Sequence, residues 1–162
     1  MSTDVIEKKD IVLEDNELVC ILTDEVKKIR ALENNLQSVI LMLNEEYGFD
    51  LEDMERDFSI EYIDPDTGNK RRQKVELVIF DKGKPHEQDH IIRICIVQPD
   101  NVKETDKKKG LGATLENAMG AVERCEFGLW ANGQNYFFLQ KEDDALGFDY
   151  DFTDLSDFPG EG

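Results

Sequence analysis

The stretch that most constrains how this chain can fold is IIRICIV, residues 91–97, which runs into the turn QPDN. In an extended strand Ile94 and Ile96 point to one side, and Cys95 and Val97 to the other. A strand apolar on both faces belongs inside a sheet that helices cover. Two further strand-like runs precede it, FSIEYI at 58–63 and KVELVIF at 74–80. Between them DPDTGN supplies turn chemistry, with Pro65 fixing φ and Gly68 allowing positive φ, so the two form a hairpin.

Helical spacing begins on the N-terminal side. Thr23 is a suitable N-cap, with Asp24 and Glu25 in the first turn. Val26, Ile29, Leu32, Leu36, Val39, Ile40 and Leu43 then recur at three- and four-residue steps, and Gly48 supplies a C-cap. A second helix, with weakening glycines, is expected over GLGATLENAMGAVERC, residues 110–125. CEFGLWANG and QNYFFLQK follow as two strands around an Asn132-Gly133 turn. The expected order is α-β-β-β-α-β-β, an α/β (α+β layered) domain with a mixed sheet flanked by helices.

The chain divides accordingly into an N-terminal arm over 1–22, a domain over 23–144 and an acidic, aromatic tail over 145–162. The arm reads as a short strand or a docked segment. The tail, with Phe148, Tyr150 and Phe152 alternating with acids, reads as an edge strand or a segment lying on the body. Its functional alternative is a docking motif or an acidic cover over a basic groove.

Charge narrows the function. The formal charge is −18 over 162 residues, which argues against unaided, non-specific DNA binding, because phosphate neutralisation supplies most of that affinity. Eight acids and no Lys or Arg follow Lys141, so the body carries −10. Within it lie two basic runs, Lys70, Arg71, Arg72 and Lys74 in the first and Lys107, Lys108 and Lys109 in the second. Each reads first as solvated turn-flanking charge, and second as a local DNA contact. Cys20, Cys95 and Cys125 lack metal-ligand spacing and read as reduced, buried thiols, so a cytoplasmic location is expected. No run is long enough for a membrane span and no signal-peptide order opens the chain. His86 and His90 read as solvated loop residues, Trp130 as packing, and GLGATLEN lacks the end of a phosphate loop.

LNEEYGFD, ERDFSIEY, KVELVIFDKG, IIRICIVQPDN and above all CEFGLWANGQNYFFLQK together resemble the N-terminal domain of type I restriction enzyme R (motor) subunits, from about residue 23 to 160. That resemblance implies a restriction-endonuclease-like core of the PD-(D/E)XK superfamily, whose members cut DNA with Mg²⁺. Such sites place an Asp on one strand, E-x-K on the next, Q-x-x-x-Y on a helix and often a Glu on the first helix. Two carboxylates on adjacent strands hold a hard cation, and the Lys shares the face of the Glu. Carried over, the pattern puts Glu76 at the Asp, Cys95 at the Glu, Val97 at the Lys, Thr114 at the Gln, Ala118 at the Tyr and Glu33 at the first-helix Glu. A thiol is a poor Mg²⁺ ligand and valine is none, so these positions read as a vestigial site, with Glu76 the one remaining metal-ligand candidate.

Three functions follow from that reading. The first is a catalytically degenerate nuclease-fold module, without a cofactor, binding DNA or other subunits of a restriction or phage-defence complex, with Lys70, Arg71, Arg72 and Lys74 lining the old cleft. The second is a divergent Mg²⁺-dependent endonuclease using Glu33, Glu76 and a further ligand. The third is a stand-alone acidic regulatory or interaction protein. Oligomeric state is not legible in the sequence.

Overall fold

The computed structural model describes residues 17–28, 30–64, 66–99, 111–132, 135–143 and 150–155. Strands β1 (Glu17–Val19) and β2 (Val26–Lys28) form a small antiparallel hairpin, followed by helix α1 (Ala31–Glu45). After a 3-10 turn come β3 (Met54–Ile63), β4 (Lys70–Phe80) and β5 (Ile91–Val97), then helix α2 (Leu111–Gly120) and strands β6 (Phe127–Ala131), β7 (Tyr136–Asp143) and β8 (Tyr150–Leu155). Strands β3 to β8 make one six-stranded sheet in chain order. All its pairs are antiparallel except β5–β6, which α2 connects in parallel. The expected α-β-β-β-α-β-β core is present, with a hairpin added before it and an edge strand after it.

The two-sided apolar character of β5 is explained by the layers. Cys95 and Val97 pack with Leu36, Val39, Ile40 and Leu43 of α1. Ile94 and Ile96 pack with Leu115, Ala118 and Met119 of α2. All four β5 side chains are buried. Gly128 lets α2 approach β6: a Cβ there would lie 2.5 Å from Met119 Sδ and 2.9 Å from Leu115 Cδ1. Trp130 is fully buried and stacks on Phe137 at 5.2 Å between ring centroids. It is packing, as expected.

Three local expectations need correction. The first helix begins at Ala31 rather than after Thr23, and Val26 lies in β2 with 42% of its surface exposed. Thr23 caps no helix; its Oγ1 accepts the Glu25 N–H within a turn (3.2 Å). The far end of α1 is as expected, because Gly48 has φ 78° and Phe49 N–H donates to Leu43 O. Helix α2 ends at Gly120, so Ala121–Cys125 form turns rather than helix. His90 is half-buried with its Nδ1 enclosed, whereas His86 is exposed as expected, although it stacks on Phe80 at 4.3 Å and its Nε2 lies 2.8 Å from Glu52 O. The Asn132-Gly133 turn falls partly outside the described residues. Asn132 there donates its N–H to Asn135 O, and Asn135 N–H donates back to Asn132 Oδ1.

One irregularity shapes the molecule. Arg56 pairs with Leu77 and Phe58 with Val75, which sets Asp57 opposite Glu76. Asp57 has a left-handed φ of 53°, a conformation costly for most residues with a Cβ but entered more readily by Asp. On one side of this level Met54, Leu77 and Ile79 belong to the α1-side core. On the other side Ile60 and Val75 belong to the α2-side core, with Phe58 packed against it. The inward-facing alternation therefore changes face at Asp57 and Glu76. Pairing between β4 and β5 is recorded from Leu77–Cys95 to Phe80–Ile91 and does not reach Glu76. Beyond that level the β3–β4 hairpin continues as an arm on the α2 side.

Candidate functional site

Where β4 parts from β5, the Glu76 side chain takes over from the sheet. Its Oε1 accepts the Val97 N–H at 2.9 Å. Burial raises its pKa above the ordinary glutamate value, and Asp57 adds to the rise, while the Val97 N–H and the charge of Lys74 oppose it. Cys95 is buried at the same level, and burial pushes its thiol well up. A thiol held protonated in this way is a poor nucleophile.

Glu33 lies in the first turn of α1, 8% exposed. Its two carboxylate oxygens accept from Arg56 Nη1 and Nη2, both at 2.7 Å. Gln37, one turn on, donates to Glu33 Oε2 at 2.8 Å and accepts the Ile21 N–H at 3.0 Å. The Arg56 guanidinium holds the Glu33 carboxyl below its ordinary range, and the carboxylate in turn raises the Arg56 pKa. Arg56 also reaches Asp57 Oδ2 through Nε at 2.8 Å and Cys20 Sγ through Nη1 at 3.3 Å. Although burial opposes it, hydrogen bonds from Thr23 and Arg56 bring the Cys20 thiol down to about 7. The β1–β2 hairpin is thereby tied to α1 and β3. Asn35 Nδ2 donates to Gln98 O (2.9 Å), tying α1 to the end of β5.

The structure thus brings Glu76 and Val97 into direct contact and places Cys95 beside them, under the helix that carries Glu33. It does not bring the α2 positions to them. Ala118 is buried in the core on the opposite face of the sheet, and Thr114 lies on that same helix. Asp57 and Arg56 were missed by sequence reasoning. The ERD triplet carries no periodic or spacing signal, and only the strand register shows that it faces Glu76.

The first basic run is on β4. Arg71 pairs with Asp64 (2.7 Å), Arg72 with Glu61 (3.1 Å) and Lys74 with Asp57 (3.9 Å). Three of its four cations are therefore partnered across the hairpin. Lys70 is exposed near the hairpin turn. Lys107, Lys108 and Lys109 lie outside the described residues. Among the described residues no three His, Cys, Asp or Glu side chains converge as a metal group, and no helix is long and apolar enough to cross a membrane.

Comparison with curated proteins and with solved structures gives no match. Comparison with family models does: residues 33–159 match the type I restriction enzyme R protein N terminus. The match spans the whole mixed sheet, all of α2, and α1 from Glu33 onward. On that match over most of its length, the chain belongs to the family of type I restriction enzyme R protein N-terminal domains.

Proposed function

We propose that this domain keeps a nuclease-like layout but not the cutting chemistry, and serves as a DNA- or protein-binding module of a cytoplasmic restriction or phage-defence assembly. The observation that carries the reading is the burial of Cys95 and Val97, both 0% exposed, inside the α1-side core. These are the positions where the family resemblance calls for a carboxylate and a lysine. Mg²⁺ asks for several hard oxygen ligands. Here Glu76 is bonded to the Val97 N–H, Glu33 is bonded on both oxygens to Arg56, and a thiol and an isopropyl group fill the remaining places. That donor set does not fit the ion.

A second reading, a divergent Mg²⁺-dependent endonuclease, draws support from one observation. Asp57 stands opposite Glu76, with Lys74 close enough to influence Glu76. This would be the second carboxylate the sequence did not reveal. Against it, Asp57 is engaged by Arg56 at 2.8 Å and faces Lys74 at 3.9 Å.

Nicking of supercoiled plasmid with Mg²⁺ or Mn²⁺ separates the two. The native chain is compared with Glu76→Ala and with the triple variant Glu76→Asp, Cys95→Glu, Val97→Lys. Ala118→Tyr is left out, since it would overpack the α2-side core. No nicking by the native chain, with nicking by the folded triple variant, is the expected result. Nicking by the native chain that Glu76→Ala abolishes supports the second reading instead.

A further inference from the structure

Strands β3 and β8 are the two outer strands of the sheet, and they meet solvent differently. β8 reads YDFTDL and carries Asp151 and Asp154, charges of the kind that resist pairing with a further strand. The outer half of β3 reads FSIEYI, residues 58–63, with Glu61 its one charge, four strand-favouring side chains and no proline. A segment of that composition on a sheet edge invites strand addition. Ile63, at its end, is 58% exposed.

Residues 81–90, between β4 and β5, run along this strand as a strap. Lys82 pairs with Asp50 at 3.5 Å, and Gly83 N–H donates to Asp53 Oδ1 at 3.2 Å. His86 places Nε2 2.8 Å from Glu52 O and Nδ1 3.3 Å from Glu55 Oε1. Farther along, Gln88 Oε1 accepts the Glu61 N–H and Gln88 Nε2 donates to Glu61 O, both at 2.8 Å. One carboxamide therefore makes the two bonds that a residue of a neighbouring strand would make. Both backbone groups of Glu61 turn away from β4, where Arg72 is its partner. By the alternation of an antiparallel pair, Ser59 and Ile63 turn theirs outward as well.

We propose that the strap is an edge guard, closing β3 against strand addition by a second copy of this chain. What Gln88 imitates identifies what it excludes: an amide that donates and accepts at one residue stands where the backbone of an added strand would lie. A second copy brings the same FSIEYI segment, so the pairing held off is β3 with β3. The guard acts at the sheet edge and does not depend on whether the Glu76 site binds metal.

Light scattering over a range of concentrations, with amide exchange at Glu61 followed by NMR, tests this. The native chain stays monomeric with the Glu61 amide protected. Gln88→Ala speeds that exchange about tenfold at low concentration and gives a concentration-dependent dimer. Glu87→Gln, on an exposed neighbour in the strap, changes neither. Adding Ser59→Pro to Gln88→Ala removes an outward N–H from an exposed edge position and restores the monomer. A Gln88→Ala chain that stays monomeric, or whose Glu61 exchange is unchanged, would overturn the proposal. So would association that persists with Ser59→Pro, since it would arise from partial unfolding or from another surface.

Discussion

Glu33 on α1 and Arg56 on β3 meet through two hydrogen bonds of 2.7 Å each, with both side chains only 10% exposed. The pair joins helix and sheet, with Glu33 in the first turn of α1. Removing one partner strands the other as a buried charge, which typically costs about 3–5 kcal/mol. Arg56→Met is therefore strongly destabilising in urea unfolding, whereas Glu33→Met with Arg56→Met costs clearly less than Arg56→Met alone. If the double variant is the worse of the two, Glu33 is not a stranded charge without Arg56 and is held by other partners such as Gln37.

Glu33 and Glu76 pull the pH dependence of stability in opposite directions. For Glu33 the folded-state pKa is depressed. Its contribution is full above the ordinary value of 4.5 and is lost as pH falls through the depressed value. Glu76 is raised by burial, so the folded protein takes up its proton before the unfolded chain does. Its ionisation therefore destabilises the fold at neutral pH, and stability recovers as pH falls through the raised value. Glu76→Gln, which keeps an oxygen for the Val97 N–H, raises Tm by a few degrees at pH 7–8 and by progressively less toward pH 4. A pH-independent difference would deny the burial effect.

Lys141, buried on β7, donates to Met119 O at 2.8 Å, Val122 O at 2.6 Å and Glu123 O at 3.4 Å. These carbonyls belong to the end of α2 and the turn after it, and a cation there suits the helix dipole. Lys141→Met leaves buried acceptors unsatisfied and costs about 1–3 kcal/mol. Amide exchange should quicken first in residues 115–125, and uniform exchange across the sheet would speak against a local cap.

Trp130 is the lone tryptophan of the chain and is fully buried against Phe137. Its emission is expected to be blue-shifted, poorly quenched by iodide, and unchanged by single-stranded DNA. Quenching on DNA addition would make it a stacking surface after all.

The layered core was legible because β4 and β5 carry apolar side chains on both faces, a pattern that only a covered sheet satisfies. The start of α1 was not. Val26 fits helical spacing as well as it fits a strand, and Thr23 serves a turn as readily as a cap. The site was half legible. Glu76, Cys95 and Val97 were singled out by the family resemblance, and Glu76 meets Val97 through a side-chain hydrogen bond where the β4–β5 pairing stops. The Glu33–Arg56 pair joins residues 23 positions apart, and the change of face in the arm falls at a left-handed Asp57, one of many Asp residues in the chain that could adopt that conformation. The helix positions Thr114 and Ala118 came from the family resemblance, and the sheet separates Ala118 from Cys95 and Val97.

The donor set itself is the most direct test of the proposed loss of chemistry. Titrating the native chain with Mn²⁺, followed by electron paramagnetic resonance beside Glu76→Gln, should give only weak, unsaturated binding that the substitution leaves unaltered, as expected for diffuse attraction to an acidic surface. One saturable site that Glu76→Gln removes would contradict the account, and would make Asp57 and Glu76 the ligands of a working metal centre.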